Sequence, residues 1–379
     1  MEAKKKLTEY LSTRIDGLQE AKSEGKKVVG YYPSGYMSEE LVLACGAIPL
    51  GLCQGGDHTT TLVSGRYCER WFSSFCKAQI GYRMVGSEPY YQLPDLYVVP
   101  LVDANIRLVA DVWNFWTDVD IFRYEVPHEK TSLAFDYYLD ALHLLREKLE
   151  SVTKTKISDE NLKKAIKLCN EERRLFREIS LMRKNQALLL KELDFVRLNH
   201  ASYISDKGFI IELLRDYRDE LKKSKGVPSE RARILLTGDA LARGDYKIFG
   251  VAEEAGADIV IEYYCEGLRK YWKEVDAEGD LMKNLAQYYL IENPSHGEFT
   301  PARDRLEFIA NLAKEFNVAG VIWYQTMYRS GYDMEAIYFP KILKDIAGVP
   351  MLKLETDYDP TETGAMRTRI EAFLEMAKK

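Results

Sequence analysis

The chain has 379 residues, 46% of them hydrophobic, and a formal net charge of −6. Basic and acidic residues are mixed along its whole length, so no basic stripe is present to follow a phosphate backbone, and nucleic acid is excluded as an expected partner. No apolar run approaches the ~18 residues that cross a bilayer, and the charged N-terminus lacks the apolar segment of a secretory signal. We therefore expect a cytoplasmic protein with no membrane partner.

The first part of the chain alternates apolar runs with helical patterns, which is typical of a parallel sheet with helical crossovers. We predict strands at 27–32, 48–53, 95–101 and 120–127. Residues 132 to about 225 are almost wholly helical in pattern. The alternation then resumes, with strands predicted at 232–239, 257–264, 318–325 and 349–358.

This pattern predicts an α/β protein of two doubly wound lobes joined by a helical connector. The predicted boundaries are an N-terminal lobe at 1–130, a connector at 131–228 and a C-terminal lobe at 229–379.

The six cysteines do not indicate a disulfide scaffold in a chain of this size. Open α/β sheets bind ligands beyond the carboxyl ends of their strands. This rule divides the thiols into candidate ligands and residues that pack in the core. Cys53 and Cys265 each follow a predicted strand, and Cys68 lies after the loop that carries Cys53, so these three are candidate metal ligands. The alternative for them is inert packing. Packing is the expected role of the other thiols, which are Cys45, Cys76 and Cys169.

Other polar residues are expected at the same edge. Ser34 and Gly35 are expected to close the first strand and open the next helix, where backbone N–H groups favour a carboxylate, thioester oxygen or phosphate. The alternative is a plain loop and helix cap. His58 follows a Gly-Gly pair and is a candidate catalytic residue for proton transfer, the alternative being a solvated loop histidine. Arg243 is a candidate for binding an anionic substrate group, or it pairs with Asp239 or a neighbouring acid.

Four stretches resemble the family of 2-hydroxyacyl-CoA dehydratase and benzoyl-CoA reductase subunits. They read VVGYYPSGYMSEELVLACGAIPLGL, LLTGDALARGDYKIFGVAEEAGADIVIEYYCEGLRKYW, VAGVIWYQTMYRSGYDMEA and VPMLKLETDYDPTETGAMRTRIEAFLEM. They lie between residues 28 and 376, so the resemblance covers nearly the whole chain.

The resemblance implies two flavodoxin-like lobes and a [4Fe–4S] cluster between them, held by three cysteines. It also implies an ATP-dependent activator protein with its own iron–sulfur cluster, which supplies electrons of low potential. The implied reaction is the radical dehydration of a 2-hydroxyacyl-CoA or the reduction of an aromatic thioester. The protein would then be a lyase or oxidoreductase subunit that pairs with a homologous subunit or with itself.

The chain departs from the family at two of the three usual ligand positions. Cys68 precedes Ser73 and Ser74, as the first ligand does in the family. Val102 stands where the second cysteine is usual, and Arg329 stands where the third is usual. Neither side chain ligates iron, so a cluster here would need a different set, for which the topology offers Cys53, Cys68 and Cys265.

Three interpretations follow. In the first, the chain carries a cluster on this relocated trio of cysteines. In the second, it has lost its cluster and pairs with a cluster-bearing homologue, contributing an interface and part of the substrate pocket. In the third, it is a binding protein on the same scaffold with no redox role.

Overall fold

A computed structural model describes residues 2–377. Its strands are β1 (Val28–Tyr31), β2 (Ile48–Gly51), β3 (Leu96–Leu101), β4 (Asp120–Glu125), β5 (Ala232–Thr237), β6 (Ala257–Tyr263), β7 (Gly320–Thr326) and β8 (Met351–Thr356). Its α-helices are α1 (Glu2–Ser23), α2 (Glu39–Ala44), α3 (His58–Ser64), α4 (Ser74–Val85), α5 (Ala104–Trp116), α6 (Ser132–Thr153), α7 (Asp159–Met182), α8 (Glu192–Ser202), α9 (Lys207–Lys223), α10 (Lys247–Glu254), α11 (Leu268–Tyr271), α12 (Leu281–Ala286), α13 (Arg303–Glu315), α14 (Ser330–Ala347) and α15 (Thr363–Ala377).

The strands form two four-stranded sheets with the same connectivity. The first sheet has the order β2-β1-β3-β4 and the second has the order β6-β5-β7-β8, and all pairs are parallel. In both sheets the first strand of the lobe lies beside the second and the third, which is the start of the flavodoxin-like order. This confirms the predicted fold class of two α/β lobes joined by helices.

Burial explains why the central strands β3 and β7 are largely apolar. All six residues of β3 and all seven of β7 are buried, as expected for parallel strands covered on both faces. The second sheet packs two separate apolar clusters, one containing Trp323 and the other Tyr324, on its opposite faces. Alternation along β7 thus sends successive side chains into different helical layers.

Several helices in the described chain begin at a side-chain cap. The Ser73 side chain accepts a hydrogen bond from the Cys76 N–H at the start of α4, and Asp103 caps α5 through the Ile106 N–H. Thr131 and Ser158 cap α6 and α7 in the same way. These caps set where the loops at the strand ends stop and the helices begin.

The helices α6 to α9 lie between the two sheets in the chain, at residues 132–223. They contribute to the core of both lobes: Leu142 packs in the first-lobe cluster and Leu214 in a second-lobe cluster. The domain boundaries at 130/131 and 228/229 remain a prediction. None of the helices in the described part of the chain is both long and apolar enough to cross a membrane.

Candidate functional site

The two lobes meet through the loops that follow their strands. The Arg243 N–H donates to the Cys53 carbonyl at 2.8 Å, and the Gly55 N–H donates to the Arg243 carbonyl at 2.9 Å. The loop after β2 therefore pairs, strand-like, with the loop after β5. Because strand-end loops carry the ligand sites of open α/β sheets, this junction is the candidate functional site.

Arg329 links both lobes at the centre of this junction. Its Nη1 lies 2.8 Å from Asp103 Oδ2 in the first lobe, and its Nε lies 3.3 Å from Asp239 Oδ2 in the second. All three side chains are buried, with exposed fractions of 5% or less. A buried guanidinium between two carboxylates is held by charge as well as by packing.

Each aspartate is oriented by its own lobe. Asp103 follows β3 and caps α5, so one oxygen accepts the Ile106 N–H and the other faces Arg329. Asp239 follows β5 and accepts two hydrogen bonds from Thr326, at 2.7 Å from N–H and 2.6 Å from Oγ1. Burial raises the pKa of Asp239. At Asp103 burial is the largest single effect, but Arg329, His296 and the Ile106 N–H together outweigh it and lower the pKa.

The space beside Arg329 is nearly filled. A crevice lined by Ser34, Cys265, Glu266, His296 and Arg329, among others, encloses about 10 Å³. This is room for about one water molecule. The side chains at the junction therefore pack against one another and leave no space for a larger group in this conformation.

Two ionisable groups of this crevice are neutral because they are buried. Burial raises the pKa of Glu266 to about 8, and its Oε1 accepts the Leu241 N–H. Burial lowers the pKa of His296 to about 3, and the ring faces the Tyr332 hydroxyl at 3.1 Å from Nε2. The crevice thus holds a carboxylic acid and a neutral imidazole near the guanidinium of Arg329.

Ser34 and Gly35 lie in the loop after β1, as predicted, but the next helix begins only at Glu39 with Ser38 as its cap. The Ser34 hydroxyl is buried and has no hydrogen-bond partner. Gly35 has φ +80°, and a Cβ there would lie 2.6 Å from Arg269 Nη1. The Gly35 carbonyl accepts a hydrogen bond from that nitrogen, so this residue presents an acceptor to a buried cation.

Arg243 is half-buried, and its guanidinium carbon lies 5.5 Å from the centre of the Tyr90 ring. It does not pair with Asp239, whose partner is Arg329. His58 is the first residue of α3, half-buried, and its Nδ1 has no hydrogen-bond partner. The roles of Arg243 in substrate binding and of His58 in proton transfer remain predictions.

The three candidate thiols lie in different surroundings. Cys53 and Cys265 are buried at the lobe junction, and burial raises the pKa of each to about 12. Cys68 lies in the turn between α3 and α4, partly exposed, and its thiol donates to the Ser64 carbonyl at 3.5 Å. That these three bind one cluster remains a prediction. The other thiols, at Cys45, Cys76 and Cys169, are buried as expected.

Cys76 is buried as predicted, and it contacts Tyr32, which lines the same crevice as Arg329. Its Sγ is 3.4 Å from the Tyr32 hydroxyl, and burial, followed by the charge of Asp103, raises its pKa to about 12.

The residues at the family's usual cluster position do not fit a [4Fe–4S] cluster. Such a cluster needs thiolate ligands and space, but Val102 is fully buried in the core and Arg329 is engaged by two carboxylates. Within residues 2–377, no group of three or more His, Cys, Asp or Glu side chains is arranged to hold a metal ion.

Sequence reasoning missed the partners of Arg329 and a second arginine, Arg269. Asp103 directly follows β3, so the rule about strand ends was a usable signal for it. Arg269 is 1% exposed and lies at a second cavity, of about 40 Å³, next to the crevice. Nothing local in its sequence distinguishes it from a surface arginine.

Comparison with known proteins gives a consistent result. Residues 34–377 match the family model described as 2-hydroxyglutaryl-CoA dehydratase, D-component. The chain is 26% identical over 360 residues to the (R)-phenyllactyl-CoA dehydratase beta subunit of Clostridium sporogenes, covering 93% of this chain and 92% of that protein.

Two further relatives are also subunits. The chain is 26% identical to a benzoyl-CoA reductase subunit of Thauera aromatica, over 71% of this chain and 69% of that protein. It is 23% identical to the beta subunit of (R)-2-hydroxyglutaryl-CoA dehydratase of Acidaminococcus fermentans, over 94% of each chain. The family match covers most of the chain and agrees with the two-lobed fold, so this protein belongs to the 2-hydroxyglutaryl-CoA dehydratase D-component family.

Proposed function

We propose that the chain is a cluster-free subunit of a 2-hydroxyacyl-CoA dehydratase or benzoyl-CoA reductase type of enzyme. It acts with a homologous subunit that carries the [4Fe–4S] cluster. The observation that carries this proposal is the ion-paired Arg329, which joins Asp103 to Asp239 at a position where the family usually has a cysteine. Removing this arginine from two buried acids is unfavourable, so the site is built around a cation.

The names of the relatives support a role as one subunit of a larger enzyme. Three of them are subunits of an acyl-CoA dehydratase or reductase. In the proposed enzyme the cluster-bearing partner receives electrons from an ATP-dependent activator with its own cluster, and the substrate is an acyl-CoA-type thioester. This chain contributes the strand-end loops with Ser34, His58 and Arg243 to the shared substrate site.

An exposed apolar face on α14 supports pairing with another subunit. Met334, Ile337 and Tyr338 are spaced to share one face of this helix, and their exposed fractions are 69%, 82% and 50%. The helix begins directly after Arg329, and Tyr328 stacks edge-on against the exposed Trp71 with 6.1 Å between ring centres. Contiguous exposed apolar side chains of this kind mark protein interfaces.

The proposal is tested by iron and sulfide analysis of tagged protein purified without oxygen from its native host. We expect a family homologue with the usual cysteines to co-purify, and we expect the iron to remain with that homologue when the two are separated. Ile337→Glu should release the homologue, whereas Leu133→Glu on the exposed start of α6 is the control.

A second arm restores the family ligands. The double variant Val102→Cys/Arg329→Cys, with Cys68 in place, should bind iron on reconstitution, and Cys68→Ala in that background should remove it. Iron at cluster stoichiometry in the separated wild-type chain, lost in Cys68→Ala, would instead support the relocated trio of Cys53, Cys68 and Cys265 and end this proposal.

A further inference from the structure

A second buried arginine at the lobe junction has no acidic partner. Arg269 is 1% exposed and lies in α11, just after Cys265 and Glu266. Its Nε donates to the Pro294 carbonyl at 2.8 Å, its Nη2 to the Tyr289 carbonyl at 2.6 Å and its Nη1 to the Gly35 carbonyl. Within residues 2–377 no carboxylate forms an ion pair with it.

Carbonyl oxygens satisfy hydrogen bonds but do not neutralise charge. A guanidinium has five N–H groups, so the three bonds to carbonyls leave one N–H on each terminal nitrogen for another acceptor. Buried charges in proteins are normally paired, because an isolated ion is costly to remove from water. Arg269 is an exception at the boundary of the two lobes.

Arg269 contributes to the wall of a cavity of about 40 Å³ between the loop after β1 and the connector helices. The cavity is also lined by Glu39, Glu172, Arg173 and Lys270. One water molecule needs about 10–15 Å³ of such space, so the cavity accommodates about three water-sized groups. That is the size of a carboxylate, with its carbon and two oxygens.

The other charges around the cavity compensate one another. Lys207 forms ion pairs with both Glu39 and Glu172, and Lys270 lies 3.5 Å from Glu172. Arg173, which lines the cavity, lies 2.5 Å from Glu40, which does not line it. The three carboxylates are therefore outnumbered by four cations, and Arg269 is the cation without a carboxylate partner. The cations are Lys207, Lys270, Arg173 and Arg269.

A neighbouring lysine responds to this excess charge. Lys130 donates to the Asn293 carbonyl at 2.9 Å, close to the Pro294 carbonyl that Arg269 binds. Its pKa is lowered to about 8, first by burial and then by the positive charge of Arg269. The region around Arg269 is therefore electropositive, and a monoanion would balance it, whereas a dianion would be repelled by Glu39 and Glu172.

We infer that the cavity beside Arg269 is a binding site for a carboxylate group, with Arg269 as its charge partner. The shared chemistry is that of a monocarboxylate, which is either a free short-chain acid or the carboxylate end of a longer molecule. This inference does not depend on the proposed function, since the cavity lies within one chain and contains no cysteine of the predicted cluster set.

The test is isothermal titration calorimetry of the purified chain, at constant ionic strength, with acetate, monomethyl succinate, sulfate and bromide. We expect saturable binding of carboxylate and weaker binding of sulfate and bromide. Binding of acetate alone identifies a closed site for a free acid. Binding of monomethyl succinate as well identifies a site open to the end of a longer chain. Equal or tighter binding of bromide or sulfate would overturn the carboxylate assignment.

Arg269→Gln should weaken acetate binding by at least about tenfold, because a charge-assisted hydrogen bond is lost. Arg233→Gln changes a half-buried arginine that also donates to backbone carbonyls but does not line the cavity, so it is the matched control and should retain the affinity. Since Arg269→Gln alters a buried site, crystals of the wild-type chain grown with acetate give an independent measurement. Acetate density away from Arg269, or equal affinity in Arg269→Gln, would overturn the inference.

Discussion

Two buried arginines cross the junction between the lobes, and they are satisfied in opposite ways. Arg329 lies between Asp103 of the first lobe and Asp239 of the second, so its charge is compensated. Arg269 donates its hydrogen bonds to the backbone carbonyls of Gly35, Tyr289 and Pro294 and lies over the Tyr36 ring, with no carboxylate partner. The comparison indicates that the charges in the crevice at Arg329 compensate one another within the protein. The cavity at Arg269, by contrast, has an uncompensated positive charge that a ligand would neutralise.

The largest expected effect comes from breaking the compensated contact. Arg329→Ala leaves two buried carboxylates without their cation, which should lower the free energy of unfolding by about 3–5 kcal/mol. Urea denaturation followed by circular dichroism measures this loss. Adding Asp239→Asn to the variant should recover part of it, because one unpaired charge is then removed. Equal stability of Arg329→Ala and wild type would mean that the ion pairs contribute nothing.

The neutral acid of the crevice predicts a pH dependence. The pKa of Glu266 is raised by burial to about 8, so the folded state holds a proton that the unfolded chain has released, and stability falls as the pH rises toward 8. Glu266→Gln should remove this contribution, which approaches about 1 kcal/mol per pH unit.

Urea denaturation at pH 6 and pH 8 should show a smaller loss in Glu266→Gln than in wild type. An identical pH dependence in the two proteins would show that Glu266 is ionised in the fold. Glu253→Gln, at a partly exposed glutamate of α10, is the control and should leave the wild-type pH dependence unchanged over this interval.

Gly46 is a matched control for Gly35, the residue of the loop after β1 that contacts Arg269. Gly35 and Gly46 have similar backbone angles, φ +80° and φ +76°, but an added Cβ at Gly46 meets open space and one at Gly35 meets Arg269. Alanine at Gly46 should cost about 1 kcal/mol for the left-handed backbone alone. Alanine at Gly35 should cost about 2–3 kcal/mol, with the excess due to displacing Arg269. Equal costs in thermal or urea unfolding would show that Arg269 moves freely.

The smallest effect is expected at Cys68, which lies outside the Arg329 crevice. Cys68→Ser should change the free energy of unfolding by less than about 0.5 kcal/mol, since the site is partly exposed. In the native protein, Cys68 should react first with a thiol-specific reagent such as Ellman's reagent, because the other cysteines are buried. The fast phase should be absent in Cys68→Ser and present in Cys76→Ser.

The sequence predicted the architecture well because strand burial and helix caps are local signals. Largely apolar runs such as β3 and β7 are buried on both faces, and caps such as Asp103 and Ser158 stand directly before their helices. The helix after β1 was expected to begin near Ser34 but begins at Glu39. Its cap is Ser38, and serine is a typical cap residue at both positions, so the local signal was ambiguous.

The candidate site was predicted only in outline. The rule about strand ends pointed to the loops with Ser34, Cys53 and Arg243, and these loops meet at the lobe junction, while their roles in a site remain predictions. It did not identify which charged residues pair there. Arg243, singled out for its loop, lies over Tyr90, whereas Asp239 pairs with Arg329 from the loop after β7.

The sequence by itself determined that this chain forms two parallel α/β lobes, and its family resemblance implied cysteine ligands at two positions where Val102 and Arg329 stand. Only the tertiary structure decided that Arg329 is neutralised by one aspartate from each lobe while Arg269 is not neutralised at all. The physical reason is that periodicity and capping depend on near neighbours in the chain, whereas charge compensation depends on which distant side chains burial brings together.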